Sequence, residues 1–428
     1  MENGENHSGI DITPYCDTGE VFEADRIREV WEREDKEWLQ KTKNDASGYA
    51  YPALGKSPYI GETSDGRMEK KVLCQDIFWS CDGTSLVSVH NDFGIRQYLI
   101  PEENDGDNKN KELLLLLPFS RFFKNQSIVS CAVHPLYSLY DEPSGGVATD
   151  KIAIGSKNFP LQLYSVMDGQ CVATFDTTNE MNGEYETAYS VKIDTEAHIY
   201  TGSHRNKVAI YDMHRREAVW MHRSSKKASK GRHSIISCFE EQPAGAAALP
   251  RGPLLCGSYA NELFLVDPRH QQPVAISRSG QKAAMGVIQI LTSDNGRYVY
   301  VARRNSDKIS VYDRRDLQRE VSLLALPFRV RQDSAKFKAC VDATHGLSMG
   351  TPWGAVLNWG HDLVEFGGVS PHQRSEEQAV ASLPPESEWS TGPESMGFTT
   401  TVVKSCPTEP GLLALAHGGT ISLGRLSG

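Results

Sequence analysis

The sequence predicts an all-β fold assembled from one repeated strand motif, and three observations carry the prediction. First, seven short segments alternate with period two and are rich in β-branched and aromatic residues. They are Gly94-Ile-Arg-Gln-Tyr98, Pro160-Leu-Gln-Leu-Tyr164, Lys207-Val-Ala-Ile-Tyr-Asp212, Glu262-Leu-Phe-Leu-Val-Asp267, Lys308-Ile-Ser-Val-Tyr-Asp313, Gly354-Ala-Val-Leu-Asn-Trp359 and Thr420-Ile-Ser-Leu-Gly424. Second, a strand of small residues precedes several of them, as in Ile152-Ala-Ile-Gly-Ser156, Tyr200-Thr-Gly-Ser203, Leu254-Leu-Cys-Gly-Ser258 and Val299-Tyr-Val-Ala302. Third, four of the nine cysteines, Cys131, Cys238, Cys340 and Cys406, share a context of apolar and small residues.

The segments align on Tyr98, Tyr164, Tyr211, Val266, Tyr312, Asn358 and Gly424. Three of the six intervals between these positions lie near the ~40–45 residues of a WD-type blade. The longer intervals contain loop sequence. The expected architecture is therefore a seven-bladed WD-type β-propeller over residues 72–428, with an N-terminal extension over residues 1–71. Asn or Asp marks the tight turns within blades, as in His204-Arg-Asn206 and Ala260-Asn261. Asp82-Gly83 and Asn295-Gly296 mark turns between first and second strands. Small residues in the second strands let neighbouring blades approach closely.

Three segments fall outside the repeat. Residues 20–39 place Phe22, Ile27, Val30, Trp31, Trp38 and Leu39 among many charges and read as an amphipathic helix. Residues 101–112 are a polar insertion in the first blade. Residues 367–400, rich in Gly, Pro, Ser and Glu, read as a flexible, mildly acidic loop before the last blade. Closing a ring of blades calls for a strand from before residue 72 in the last blade.

Composition narrows the function classes. The 428 residues are 39% hydrophobic and 23% charged. Sixteen Tyr, fourteen Phe and seven Trp are spread along them, which excludes disorder as the dominant state. The longest apolar run, Leu113 to Leu117, is far short of the roughly 18 residues of a membrane span. The polar, acidic N-terminus lacks a signal-peptide pattern. Nine cysteines without a CxxC pair point to a reducing compartment, cytosol or nucleus. A net charge of −10 argues against a general nucleic-acid coat and leaves room for a local basic patch.

Catalytic motifs are scarce. Gly55-Lys56-Ser57 ends like a phosphate-binding loop, but Ala50 replaces the first glycine and Pro52 and Pro58 oppose a helix. Asp105 and Asp107 suggest a calcium loop, but Lys109, Asn110 and Leu116 occupy positions that need a ligand, a glycine and a carboxylate. The thirteen histidines show no helical metal spacing, and the repeated cysteines read as small apolar filler of buried sheets. No cofactor, metal or small-molecule substrate is expected, and the chain reads as non-enzymatic.

The chemistry-bearing feature is basic. Residues 222–233 carry Arg223, Lys226, Lys227, Lys230 and Arg232 with two histidines and no acid, in a loop between blades. Lys226, Lys227, Lys230 and Arg232 are the first candidates for RNA or ribonucleoprotein contact through phosphate. Arg303 and Arg304 are the second. Arg314, Arg315, Arg329, Arg331, Lys336 and Lys338 are further basic residues, and Trp220, Phe328 and Phe337 could stack unpaired bases. Ordinary solvated surface charge competes with this reading, more strongly for the later clusters.

Several stretches, in order, resemble the WD-repeat family of the telomerase Cajal body protein, and within it the fungal branch of nuclear pre-mRNA-splicing proteins. They are Gly155-Ser-Lys-Asn-Phe-Pro160 with its following strand, the acidic loop Asn179 to Ser190, Arg205 to Asp212, Lys226-Lys227 through Ser234-Ile-Ile-Ser-Cys238, and Leu255-Cys-Gly-Ser-Tyr259. The resemblance covers about residues 72–360. The last blade and the 367–400 insertion depart from it, and Tyr-Asp replaces Trp-Asp at several strand ends. It implies a nuclear, non-enzymatic scaffold associated with small nuclear ribonucleoproteins, spliceosomal RNA and proteins; no membrane partner is expected, and a monomeric propeller is the default expectation for an oligomeric state the sequence does not fix. An RNP-assembly factor for small Cajal-body or telomerase RNA is the close alternative. A generic propeller adaptor of protein complexes, docking through its N-terminal helix, is the alternative of a different class.

Overall fold

Period-two alternation is realised as strand throughout. A computed structural model describes residues 11–19, 72–101, 113–116, 118–140, 149–179, 182–223, 234–243, 253–270, 274–278, 285–330, 337–361, 382–391 and 399–427. The elements named among them are all β-strands, β1 to β30. The helix expected over residues 20–39 lies outside the described residues, as does the 101–112 insertion beyond Pro101. The strands form antiparallel sheets consistent with a β-propeller. They fall into two compact units. One comprises Met1–Tyr15, Ser224–Gly418 and Ser422–Gly428, and the other Cys16–Arg223 and Gly419–Ile421.

β1 (Asp11–Asp17) contributes to each unit. In the Cys16–Arg223 unit its last residues pair parallel with β5 (Leu114–Leu115). β2 (Cys74–Trp79), β3 (Ser85–His90), β4 (Gly94–Leu99) and β6 (Pro118–Phe123) form one antiparallel sheet in that order. β7 (Ile128–Val133), β8 (Lys151–Ser156), β9 (Leu161–Ser165) and β10 (Cys171–Phe175) form the next. β11 (Ser190–Ile193), β12 (His198–Gly202), β13 (Val208–Asp212) and β14 (Ala218–His222) form the third.

The other unit repeats the pattern. β15 (Ile236–Glu241), β16 (Leu254–Ser258), β17 (Glu262–Val266) and β18 (Val274–Arg278) are antiparallel, as are β19 (Val287–Thr292), β20 (Tyr298–Arg303), β21 (Lys308–Asp313) and β22 (Asp316–Ala325). The two first strands touch in parallel at Glu240–Ile290 and Glu241–Leu291. β23 (Cys340–Asp342), β24 (Gly346–Gly350) and β25 (Val356–Trp359) follow. β26 (Ser382–Leu383) pairs parallel with β22, and β27 (Ser387–Trp389) pairs antiparallel with β25. β28 (Thr400–Ser405), β29 (Leu412–His417) and β30 (Thr420–Ser427) take β1 as their next neighbour. The strand expected from before residue 72 is thus β1. Ile12 packs with Trp389, Val403, Leu413 and Leu415.

All seven alternating segments fall on strands: β4, β9, β13, β17, β21, β25 and β30. The turns before several of them need a left-handed residue, and asparagine tolerates that conformation better than most side chains. Asn158, Asn206, Asn261 and Asn305 supply it, with φ values from 53° to 64°. In the two Asx-Gly turns glycine takes this role, as such turns require. Gly83 has a φ of 72° and Gly296 a φ of 68°.

The small residues of the second strands meet a following first strand or the residues leading into it. A Cβ at Gly155 would lie 2.6 Å from the Ala188 carbonyl oxygen, and one at Gly257 would lie 2.6 Å from Val287. At Gly350 it would strike the Thr400 carbonyl oxygen, which is backbone and cannot swing aside. Gly350→Ala is therefore expected to lower stability by about 1–3 kcal/mol, read as a lower urea midpoint. An unchanged midpoint would show that the two strands are not in close register.

Two expectations are corrected. The stretch 367–400 is not loop throughout, because Ser382–Leu383 and Ser387–Trp389 are strands. Trp389 anchors the second at 1% exposure, and that burial outweighs the Pro- and Ser-rich flanks. The four repeated cysteines mark first strands but not one position. Opposite the Gly-Ser pairs of β8 and β16, Ser130 and Cys238 face the glycines, while Cys131 and Phe239 lie one residue further on. Cys406 falls just beyond β28. A one-residue bulge recurs near the start of β2, β7, β15, β19 and β28. Such bulges shift the alternation locally. All nine cysteines are free thiols. Burial pushes the Cys238 and Cys340 thiols up to about 12, so they stay neutral.

Candidate nucleic-acid interface

The topology places the turns between second and third strands, and the connections from a fourth strand to the next first strand, at the same end of each antiparallel group. That end carries the 224–233 connection, the Arg303–Arg304 turn and the connection after β22, while Arg314 and Arg315 lie in the β21–β22 turn at the opposite end. Lys226, Lys227, Lys230 and Arg232 lie outside the described residues, between β14 and β15. The loop's first arginine is described and is engaged. Arg223 Nη2 lies 3.1 Å from Glu186 Oε1, and Lys207 Nζ lies 2.7 Å from Glu186 Oε2. Two cations on one half-buried carboxylate fix the base of the loop.

Arg303 is not a surface cation, which corrects its candidacy for phosphate contact. It ends β20, a strand buried along its whole length, and is 3% exposed. Its Nε donates to Asn261 Oδ1 at 2.7 Å, its Nη1 to Ser310 Oγ at 2.5 Å and its Nη2 to the Tyr312 hydroxyl at 2.8 Å. Ser310 and Tyr312 in turn donate to Glu320 Oε1 at 2.7 and 3.0 Å. Burial pushes the Tyr312 phenol up, so it remains a neutral hydroxyl able to accept and donate. The guanidinium is consumed by a network that ties the β16–β17 turn to β21 and β22. A phosphate cannot reach it.

Arg304, one residue on, is exposed. Its backbone N–H donates to the Gly286 carbonyl at 2.8 Å, and Asn305 N–H donates to the Val330 carbonyl at 2.8 Å. These bonds hold the β20–β21 turn against two neighbouring connections and leave the Arg304 side chain outside. Arg329, in the connection after β22, is exposed as well. The other clusters are largely spent on structure. Arg314 pairs with buried Glu240, and Arg315 Nη2 lies 2.6 Å from Asp313 Oδ2. Arg331 and Lys336 lie outside the described residues.

Of the aromatics, Phe337 is buried and Phe328 is half-buried, with ring centroids 5.5 Å apart. The residue the sequence reading missed is Trp353, 40% exposed in the turn between β24 and β25. The signal was present: Pro352-Trp353-Gly354 puts a tryptophan between a proline and a glycine, at the head of a turn. Among the described residues, no group of three or more His, Cys, Asp or Glu is placed to hold a metal ion, and no helix is long and apolar enough to cross a membrane.

No protein-family model matches the chain. It is 66% identical over 361 residues to Protein SWT21 of Saccharomyces cerevisiae, an alignment covering 84% of this chain and all of that protein. It is 35% identical over 402 residues to Protein SWT21 of Zygosaccharomyces rouxii, covering 94% of this chain and 91% of the relative. The Candida glabrata protein of the same name is 36% identical over 368 residues, covering 84% of this chain and 83% of the relative. The chain belongs to the SWT21 family.

Proposed function

We propose that the chain is a seven-bladed WD-type β-propeller that acts as a nuclear, non-enzymatic scaffold, associating with small nuclear ribonucleoproteins and supporting pre-mRNA splicing. The blade count is supported by the seven aligned third strands, each lying within a run of four neighbouring strands, two of these runs being joined in one nine-stranded sheet. The functional reading rests on one observation, the ordered run of segments from Gly155 to Tyr259 that resembles the telomerase Cajal body protein family and its fungal splicing branch. The exposed Arg304 and the basic residues of the 224–233 connection supply the phosphate contacts such a role needs.

Charge reversal at Lys226, Lys227, Lys230 and Arg232 is expected to cut co-purification of small nuclear RNAs by about tenfold or more. The unfolding free energy is expected to change by no more than about 0.5 kcal/mol. Unchanged co-purification would overturn the assignment of that loop.

A further inference from the structure

We infer that the edge carrying Trp353, Phe328, Arg329 and Arg304 is a stacking site for unpaired RNA bases. This rests on the reading of the chain as an RNP-associated protein and names a ligand class and residues for it.

Trp353 sits between Pro352 and Gly354. Gly354 has a φ of 98°, so the chain reverses sharply around the indole. Only glycine adopts such a conformation without strain. The ring is exposed but not loose. Its Nε1 donates to Glu388 Oε1 at 2.5 Å, and it meets Phe328 edge-to-face, with centroids 5.7 Å apart and planes at 87°. Phe328 is itself braced by buried Phe337. With the N–H satisfied, what the indole offers to solvent is ring carbon. An exposed aromatic ring held in one orientation loses little entropy on binding a flat partner.

The partner's charge follows from the neighbours. Arg329 adjoins Phe328 in sequence. The Asn305–Val330 hydrogen bond brings Arg304 to the same connection. Both arginines are exposed, and neither forms an ion pair with a described residue. Tyr259, half-buried, continues the row, because Gly286 lies against it and also accepts from the Arg304 backbone N–H. The Glu388 carboxylate accepts from the in-plane indole N–H, so its charge lies at the edge of the ring and not over its face.

A fixed aromatic face beside two exposed guanidiniums suits a ligand that is flat and apolar on one side and anionic on the other. An unpaired nucleotide has that form, and stacking of a base on an aromatic ring contributes about 1–3 kcal/mol. A duplex hides its base faces and offers phosphate alone.

The test uses the full chain and a labelled single-stranded oligouridine in a fluorescence-anisotropy titration, with double-stranded RNA of equal length beside it. Trp353→Ala is expected to weaken oligouridine binding about tenfold, Trp353→Phe to restore most of the loss, and duplex binding to change far less. The double variant Arg304→Glu with Arg329→Glu is expected to weaken both and to flatten the dependence on salt. Unchanged oligouridine affinity in Trp353→Ala would overturn the stacking site, while small nuclear RNA co-purification would still decide the RNP reading on its own. Equal losses on duplex and single strand would also overturn it, leaving phosphate contact alone. So would a Trp353→Ala chain that keeps RNA but loses a co-purifying protein, which would assign the edge to a protein partner.

Discussion

Arg303→Met is expected to destabilise the fold by about 3–5 kcal/mol, read as a fall in the urea midpoint at unchanged slope. The methionine matches much of the side chain's length but donates nothing. Asn261, Ser310 and Tyr312 each lose a donor, and Glu320 loses the cation whose Nη1 stands 3.9 Å away. Removing one member of a buried charged network leaves the rest desolvated and unpaired, which is why the cost exceeds that of a single hydrogen bond. Arg304→Met, one residue along, should fall within about 0.5 kcal/mol of the parent. The pair separates a structural arginine from a surface one in a single experiment. Similar losses in both would mean that the network is not formed in solution.

Ile12→Asp is expected to have an effect of comparable or greater size, about 5 kcal/mol, or to prevent folding. Ile12 is 3% exposed on β1 and packs in a cluster with Trp389, Val403, Leu413 and Leu415. Its methyl group stands against Gly424 of β30, and its backbone N–H donates to the Ser390 carbonyl at 3.0 Å. An aspartate there would be a charge without a partner among apolar side chains. Ile12→Val, which keeps the shape less one methyl, should cost about 0.5–1.5 kcal/mol and so reports on packing alone. The consequence reaches beyond one side chain. β1 is the first described strand in sequence, yet its neighbour in the sheet is β30, the last. Stability of the final strands therefore depends on residues at the opposite end of the sequence. An Ile12→Asp chain with an unaltered midpoint would show that β1 does not occupy that place.

The third strands were legible in the sequence because two independent signals agree there. Period-two alternation gives the strand, and a preceding Asn able to adopt positive φ gives the turn, as at Asn206 before Val208-Ala-Ile-Tyr-Asp212. The first strands were legible as strands but not in register. Bulges at Ile128–Ser130 and Ile236–Cys238 are invisible in composition, so matching Cys131 to Cys238 aligns two residues that differ by one place in the sheet. Ser387–Trp389 was hidden by its flanking prolines and serines, and only the burial of Trp389 explains why so short a segment holds.

The candidate site shows the same limit more sharply. Arg303-Arg304 is one basic dipeptide in the sequence, but adjacent residues at a strand end point to opposite sides. The first is drawn in by Asn261 from a turn 42 residues away, and no local pattern announces that partner. Trp353 failed to stand out for the opposite reason. A tryptophan in a β-rich sequence reads as core, and only its place between Pro352 and Gly354 marks it as the head of a turn.

The proposal that this propeller works on spliceosomal particles is tested most directly by sequencing RNA crosslinked in cells to the tagged, full-length chain. Enrichment of spliceosomal small nuclear RNAs, lost on charge reversal at Lys226, Lys227, Lys230 and Arg232, is the predicted result. Enrichment of box-type guide RNAs or telomerase RNA in their place would contradict it in favour of an RNP-assembly role. No crosslinked RNA above background would contradict it in favour of a protein adaptor.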